Sequence, residues 1–539
     1  MKAPKKHFKT SLTTSHNLSY TTEPPEKYQF YWIGILIITF TVVYSYIFDK
    51  KHDLNGDNAV YYTLAQALAQ GKGYVDITTK GNPPTNAFPP GYPLIASLVM
   101  FFTDSLTFQH LLNGLFLIGS ILLLFLILKK LTQKPSLSFV LAFITIFNSY
   151  VLRFSTMMMT EMSYLFFSCL AIWLVLKVIN LHTAFYRNPY FYLLIIVLAY
   201  AFYIRTQGIT IVIAVMGFFF ITKRWKEFTA SAIGFLALHI PWALRNKMLG
   251  IGGNRYLSAI LSENVWRPEE GTISISRLIE RFFETQAMLL TKAIPDSLFP
   301  FLNYDYQTSS GAGEWLIGIS IFAIILWGMW KLSNLLKLLF ILYFLAVLGI
   351  IGIWSAPSGN RYLTTIIPLL QIAFFYGVWY FLQEWCSRTL KLHFSPYFLL
   401  FFVLLYLPTL KPLNAIAKQG YPAPYANYFA IGEYIRNHFP DTVVTCCRKP
   451  NLLYLFSRAP VCNYTYTNND TLLIQNLIAQ QVDLVVLEQL GYSSTGLYLY
   501  PAIQKNPDLF TVVIKAPNPD TYLLQFNRQR AMQKFGVKP

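Results

Sequence analysis

Apolar runs of membrane-spanning length dominate the chain. Eleven of them stand out, at 30–48, 107–128, 135–152, 161–179, 189–205, 207–222, 228–246, 314–331, 335–354, 362–382 and 394–410. A helix needs roughly 20 mostly apolar residues to cross the hydrocarbon of a bilayer. The pattern predicts a polytopic α-helical membrane protein with about 11 transmembrane helices. Almost nothing separates the fifth run from the sixth, so the two form a tight hairpin near Arg205 and Gln207. The run 30–48 follows 29 polar residues and lacks a small-residue cleavage site, so it reads as an uncleaved first span.

Polar segments punctuate these runs unequally. The longest are 49–106, 247–313 and 411–539. In the first, residues 58–70 (NAVYYTLAQALAQ) predict a short helix, with Asp57 at the N-cap position and Gly71 and Gly73 at its end. Residues 92–103 (YPLIASLVMFFT) are apolar but too short to cross, which suits a helix lying on the membrane surface. In the tail, helical patterns at 425–439 and 469–481 alternate with β-rich runs at 442–447, 483–488, 510–516 and 521–527. That alternation predicts a small C-terminal α/β domain over 411–539.

Composition agrees with the pattern. Of 539 residues, 54% are hydrophobic and 13% charged, about half the charged share of a soluble domain. The net charge of +18 raises nucleic acid as a partner, but the distribution excludes it. Lys and Arg gather in short clusters between apolar runs, at Lys2–Lys9, Lys129–Lys134 and Lys223–Lys226. This is the positive-inside pattern. With the N-terminal segment 1–29 in the cytoplasm, the inside segments hold 17 Lys and Arg against four acids. An odd number of spans then places 49–106, 247–313 and the C-terminal domain on the extracytoplasmic side. Of the five cysteines, Cys169 and Cys386 sit in or beside spans and read as packing residues. For Cys446, Cys447 and Cys462 two readings stand: a bridge from Cys462 to one of the others, or free buried thiols. No spacing suits zinc.

The informative residues are ionisable groups at the outer ends of spans, where charge is costly unless paired or facing a wet cavity. They are Asp53, Asp57, Arg153, Glu161, Arg205, Arg245 and Arg361. Each has a plainer reading: Asp57 and Glu161 as helix caps, Arg245 and Arg361 as snorkelling cations, Tyr61, Tyr62 and Tyr92 as interfacial aromatics. Their recurrence at one level favours a site with carboxylates and guanidiniums, and arginine suits phosphate. Two other classes compete. A transporter would place charges beside broken helices at mid-membrane, whereas the span interiors here are almost charge-free. A non-catalytic receptor or assembly factor would tolerate substitution of the outer-level charges.

The ordered set of motifs resembles the GT-C superfamily of membrane glycosyltransferases, in particular bacterial relatives of protein O-mannosyltransferase and of the aminoarabinose transferase of lipid A. The matching residues are Asp57-Asn58-Ala59-Val60-Tyr61, Gly71-x-Gly73-Tyr74, Pro89-Pro90-Gly91-Tyr92-Pro93, Thr160-Glu161, Arg205-Thr206-Gln207-Gly208, Pro241-Trp242-Ala243-Leu244-Arg245-Asn246 and Arg361-Tyr362. They run through the membrane part, 30–410. The resemblance implies an inverting enzyme of the bacterial inner membrane with a polyprenyl-phosphate-linked sugar donor. The acceptor would be a lipid, glycan or protein hydroxyl, and the essential acid would stand in the first outside loop, at Asp57. Many members have a second acid beside it, where this chain has Asn58. Some hold a divalent metal there and others need none, so a metal stays open. On this reading Glu161 positions Asp57, the acceptor or a metal. Arg205, Arg245 or Arg361 meets the donor phosphate, and Tyr61 and Tyr92 line the substrate site.

Overall fold

The protein is described by a computed structural model covering residues 28–181, 184–251, 255–265, 267–332, 334–354, 360–389, 391 and 394–536. The N-terminal segment 1–29 and the turn 355–361 lie mostly outside the described residues.

Each of the eleven apolar runs is helical. In chain order the helices are α1 (Gln29–Ile47), α2 (Asp57–Ala69), α3 (Gly91–Met100), α4 (Leu106–Thr132), α5 (Pro135–Thr145), α6 (Ser149–Ser155), α7 (Glu161–Asn180), α8 (Pro189–Ile204), α9 (Ile209–Ile221) and α10 (Trp225–Met248). The large second loop carries α11 (Arg255–Leu261), α12 (Ile275–Met288) and α13 (Ile294–Leu298), and the bundle resumes with α14 (Ala312–Lys331), α15 (Asn334–Ile353), α16 (Ile367–Thr389) and α17 (Val403–Lys418). By length and composition, six helices among the described residues suffice to cross a membrane, and a seventh if a bent pair counts as one span. Pro189–Ile204, Thr206–Ile221 and Lys337–Ile353 are apolar but shorter. A multi-pass helical membrane protein therefore stands, on a coarser count than eleven crossings.

Two differences from the sequence reading have local causes. The run 135–152 is not one straight span: α5 and α6 meet at 68°. Asn148 makes the break, because its side chain accepts from the amides of Tyr150 and Val151 and starts a new helix. The run 394–410 does not end at 410 but continues as α17 to Lys418.

Close packing brings the functional loops to one end of the bundle. Gly91, in the Pro-Pro-Gly-Tyr-Pro turn, lets α3 lie against the end of α8. A Cβ there would fall 2.6 Å from the Ile204 nitrogen. The Tyr200 hydroxyl donates to the Gly91 carbonyl at 2.7 Å. α3 buries Tyr92, Ala96 and Met100 while leaving Leu94 and Leu98 exposed, with Phe101 and Phe102 exposed just past its end, as a surface-lying helix requires.

The C-terminal segment holds α18 (Ala423–His438), α19 (Pro450–Ser457), α20 (Asp470–Ala479), α21 (Tyr500–Lys505) and α22 (Arg528–Phe535). They flank a five-stranded sheet of order β2-β1-β3-β5-β4. The strands are β1 (Thr445–Cys446), β2 (Val461–Cys462), β3 (Leu484–Leu487), β4 (Phe510–Ala516) and β5 (Thr521–Phe526). β1 is parallel to β2 and β3, and β5 is antiparallel to β3 and β4. Cys446 lies opposite Cys462, and all five cysteines are free thiols.

Candidate active site

Asp57 opens α2 but does not cap it. The N-cap is Gly56, held at φ +97°, and no side chain caps the helix. That left-handed turn is one glycine adopts without the penalty a side chain brings. It leaves the Asp57 carboxylate free to turn away from its own helix. Arg361 Nη2 donates to Asp57 Oδ2 at 2.8 Å, and Arg361 Nε donates to Glu161 Oε1 at 3.2 Å. Arg205 Nη1 reaches the same Glu161 oxygen at 2.7 Å and the Thr160 hydroxyl at 3.3 Å.

Each member is placed by a break in a helix. Arg205 stands between α8 and α9 in extended backbone, where the following turn, Thr206–Gly208, is 3-10. Arg361 stands in the 3-10 turn Arg361–Leu363 ahead of α16. Glu161 is the first residue of α7, where the helix dipole favours an anion. Its cap reading is incomplete, since both guanidiniums converge on it.

The four residues form a neutral set of two guanidiniums and two carboxylates. Glu161 is fully buried and the Arg205 side chain is 12% exposed, whereas the Asp57 side chain is 36% exposed. Asp57 is therefore the acid that faces the outside of the cluster. Its Oδ1 has no hydrogen-bond partner among the described residues, while Oδ2 is taken by Arg361.

The remaining sequence candidates take different places. Tyr61 packs on Phe88 and Tyr92, with ring centroids 4.6 and 5.2 Å apart. Tyr92 is fully buried and accepts from Asn113 Nδ2 at 3.1 Å. A phenol so enclosed supports Tyr61 from behind. Arg245 is not in contact with the cluster. It donates to the carbonyls of Tyr74 at 2.8 Å and Thr85 at 3.1 Å, and it stacks over Trp242. Its guanidinium holds the first loop together. Asn58, where a second acid was expected, is buried within α2. The second carboxylate joined to Asp57 through Arg361 is Glu161.

The sequence reading missed Asp296. It is buried in α13, and its Oδ2 accepts from the hydroxyls of Tyr150 and Tyr306 at 2.8 Å each and from Asn360 Nδ2 at 3.0 Å. Burial pushes its carboxyl above the usual range, against those three hydrogen bonds. Asn360 precedes Arg361, so this network fixes the turn that carries the bridging arginine. An aspartate in a polar loop gives no signal in sequence.

The donor set does not suit a divalent metal. Among the described residues no three His, Cys, Asp or Glu side chains converge. The inner oxygens of Asp57 and Glu161 already accept from guanidiniums, which a cation would have to displace.

No protein-family profile matches the sequence, and no curated protein matches it either. Solved structures do match. ArnT from Cupriavidus metallidurans bound to undecaprenyl phosphate superposes with a TM-score of 0.60 at 11% identity, over 91% of this chain and 98% of that one. Its apo state gives 0.55 at 12% identity, over 92% and 98%. The oligosaccharyltransferase of Archaeoglobus fulgidus, in complex with Zn and sulfate, gives 0.55 at 12% identity, over 90% and 72%. The chain thus shares its fold with these ArnT and oligosaccharyltransferase structures.

Proposed function

We propose that this chain is an inverting membrane glycosyltransferase of the bacterial inner membrane. It moves a sugar from a polyprenyl-phosphate-linked donor to a hydroxyl of an envelope lipid, glycan or protein. The N-terminus is cytoplasmic, the membrane part is 30–410, and the segment 411–539 is an extracytoplasmic α/β domain covering the site. The observation that carries the reading is Asp57: a half-buried carboxylate with one oxygen fixed by Arg361 and the other free, in a fold shared with an undecaprenyl-phosphate-bound protein.

In this reading each residue has distinct work. Asp57 Oδ1 accepts the proton of the acceptor hydroxyl as that oxygen attacks the anomeric carbon. Arg361 fixes the carboxylate so that Oδ1 points outward, and Glu161 with Arg205 fixes Arg361. Orientation of this kind removes part of the entropic cost of bringing the two reactants together.

The test is transfer of a labelled sugar from a polyprenyl-phosphate donor by purified protein. Asp57→Asn keeps the shape and the contact with Arg361 but removes the base. Turnover should fall about 10²–10⁴-fold. Turnover near that of the parent in folded Asp57→Asn protein would sink the assignment. A transporter would move the lipid-linked sugar across vesicles without forming a glycosidic bond. The charge-free span interiors and the gathering of charge at one end speak against it.

A further inference from the structure

The bundle holds a pocket at the end remote from Asp57. α7 carries Glu161 at its first residue and Lys177 in its last turn. The residues from 161 to 177, at about 1.5 Å each, span about 24 Å, close to the thickness of the hydrocarbon. α4 ends beside Lys177, with Lys129 and Lys130 in its own last turn, and α1 begins there at Gln29. These helix ends enclose a pocket of about 330 Å³, within the range of ligand sites, about 300–1,000 Å³. The distribution of positive charge assigns this end to the cytoplasm.

The charged lining is Lys129, Lys130 and Lys177, with no acid. Lysines that merely snorkel run out to water and keep their heads solvated. Two of these turn to neighbouring elements instead. Lys129 Nζ donates to Gln29 Oε1 of α1 at 2.5 Å. Lys177 Nζ stands 4.8 Å from the Trp173 ring centre and 5.8 Å from that of Tyr190 on α8. The rings hold the ammonium in place but supply no counter-charge. Gln29 opens α1, whose N-terminus receives no capping side chain. The positive end of that helix dipole therefore lies at the pocket too. The remaining wall is apolar, formed by Leu126, Trp173 and Leu176.

We infer that this pocket binds an anionic phospholipid of the cytoplasmic leaflet. Its phosphate lies among Lys129, Lys130 and Lys177, and an acyl chain lies against Leu126 and Trp173. The inference is independent of the reaction proposed at Asp57. Basic pockets between spans on the cytoplasmic side suit the headgroups of that leaflet's anionic lipids. A soluble anion would make no use of the apolar wall, and a neutral lipid would leave three ammoniums unmatched. Bound there, the lipid ties the start of α1 to the ends of α4 and α7.

Full-length protein in non-ionic detergent is titrated with phosphatidylglycerol, and bound lipid is counted by native mass spectrometry. Phosphatidylcholine with the same acyl chains, undecaprenyl phosphate and inorganic phosphate serve as competitors. A lysine near a membrane surface adds about 5-fold to the attraction for anionic lipid. Lys130→Gln, at an exposed side chain, should weaken binding of phosphatidylglycerol about 5-fold, and Lys130→Gln with Lys177→Gln about 25-fold. Lys177→Arg should bind as the parent does. Phosphatidylglycerol should raise the unfolding midpoint of the parent and not that of the double variant. Three results each overturn the inference: equal binding of phosphatidylglycerol and phosphatidylcholine by the parent, undiminished binding by both glutamine variants, or displacement of phosphatidylglycerol by inorganic phosphate or equimolar undecaprenyl phosphate.

Discussion

Glu161 tests the logic of the cluster most directly. Its Oε1 accepts from Arg205 at 2.7 Å and from Arg361 at 3.2 Å, its other oxygen is unpartnered, and the residue is fully buried. Glu161→Gln preserves the shape and removes the charge, so two guanidiniums face Asp57 alone. At an effective dielectric constant of about 20, unit charges some 4 Å apart attract by about 4 kcal/mol, and two such attractions are lost. Relief from burying the carboxylate returns several kcal/mol. The net destabilisation should be about 3–5 kcal/mol, the range for stranding a buried charge.

The same logic fixes the sign of a double substitution. Glu161→Gln with Arg205→Gln removes one cation and one anion, so the set is neutral again. The double variant should be more stable than the sum of the two single effects by at least about 2 kcal/mol. Unfolding by sodium dodecyl sulfate in mixed micelles measures each corner of this cycle. A Glu161→Gln protein within about 0.5 kcal/mol of the parent, or singles that simply add, would refute the claim that charge balance holds the cluster together.

Four further outcomes follow from the geometry. Asp296→Ala leaves the donors of Tyr150, Tyr306 and Asn360 unpaired; turnover should fall along with stability, by about 1–3 kcal/mol for each donor stranded in the interior, and both are read on the same preparation. Gly91→Ala puts a methyl group 2.6 Å from the α8 backbone and should cost about 1–3 kcal/mol by overpacking, seen as a lower unfolding midpoint. Arg245→Ala frees the carbonyls of Tyr74 and Thr85, so limited proteolysis should cut within the first loop at protease levels the parent resists, with little change in affinity for undecaprenyl phosphate. Exhaustive chelation with EDTA should leave the rate of sugar transfer unchanged, and a rate restored only by added divalent cation would refute the donor-set argument.

Much of the site was legible in the sequence because membranes make charge conspicuous. Asp57, Glu161, Arg205 and Arg361 stand at the ends of apolar runs, where an ionised side chain is expensive and so carries information. Pairing was not legible. Arg361 lies 304 residues from Asp57 and 200 from Glu161, and no local pattern encodes which guanidinium meets which carboxylate. Arg245 looked equivalent to Arg361 for that reason, yet backbone carbonyls absorb it. Asp296 was invisible because an acid in a polar loop costs nothing until the loop is folded inward. The bend at Asn148 did have a signal, a strong helix-capping residue inside an apolar run. Run length outweighed it in a reading based on bilayer thickness.

The position of Asp57 also depends on the C-terminal segment, which explains why a sheet-bearing unit is joined to this bundle. Lys449 Nζ donates to the Asn55 carbonyl at 2.5 Å, and the Val461 amide donates to the Thr78 carbonyl at 2.8 Å. Lys80 reaches Gln481 at 2.8 Å, and the His52 amide donates to the Tyr421 hydroxyl at 3.0 Å. These contacts grip the first loop before and after α2, while Arg361 grips the carboxylate from the bundle. A short helix with a glycine at its N-cap would otherwise have many orientations open to it, and fixing one costs entropy. Here the cost is met on folding, before substrate arrives. The carboxylate is thus held between two bodies, with Oδ2 fixed and Oδ1 left for the acceptor. Loosening the C-terminal grip should therefore lower turnover while the Arg361 contact persists.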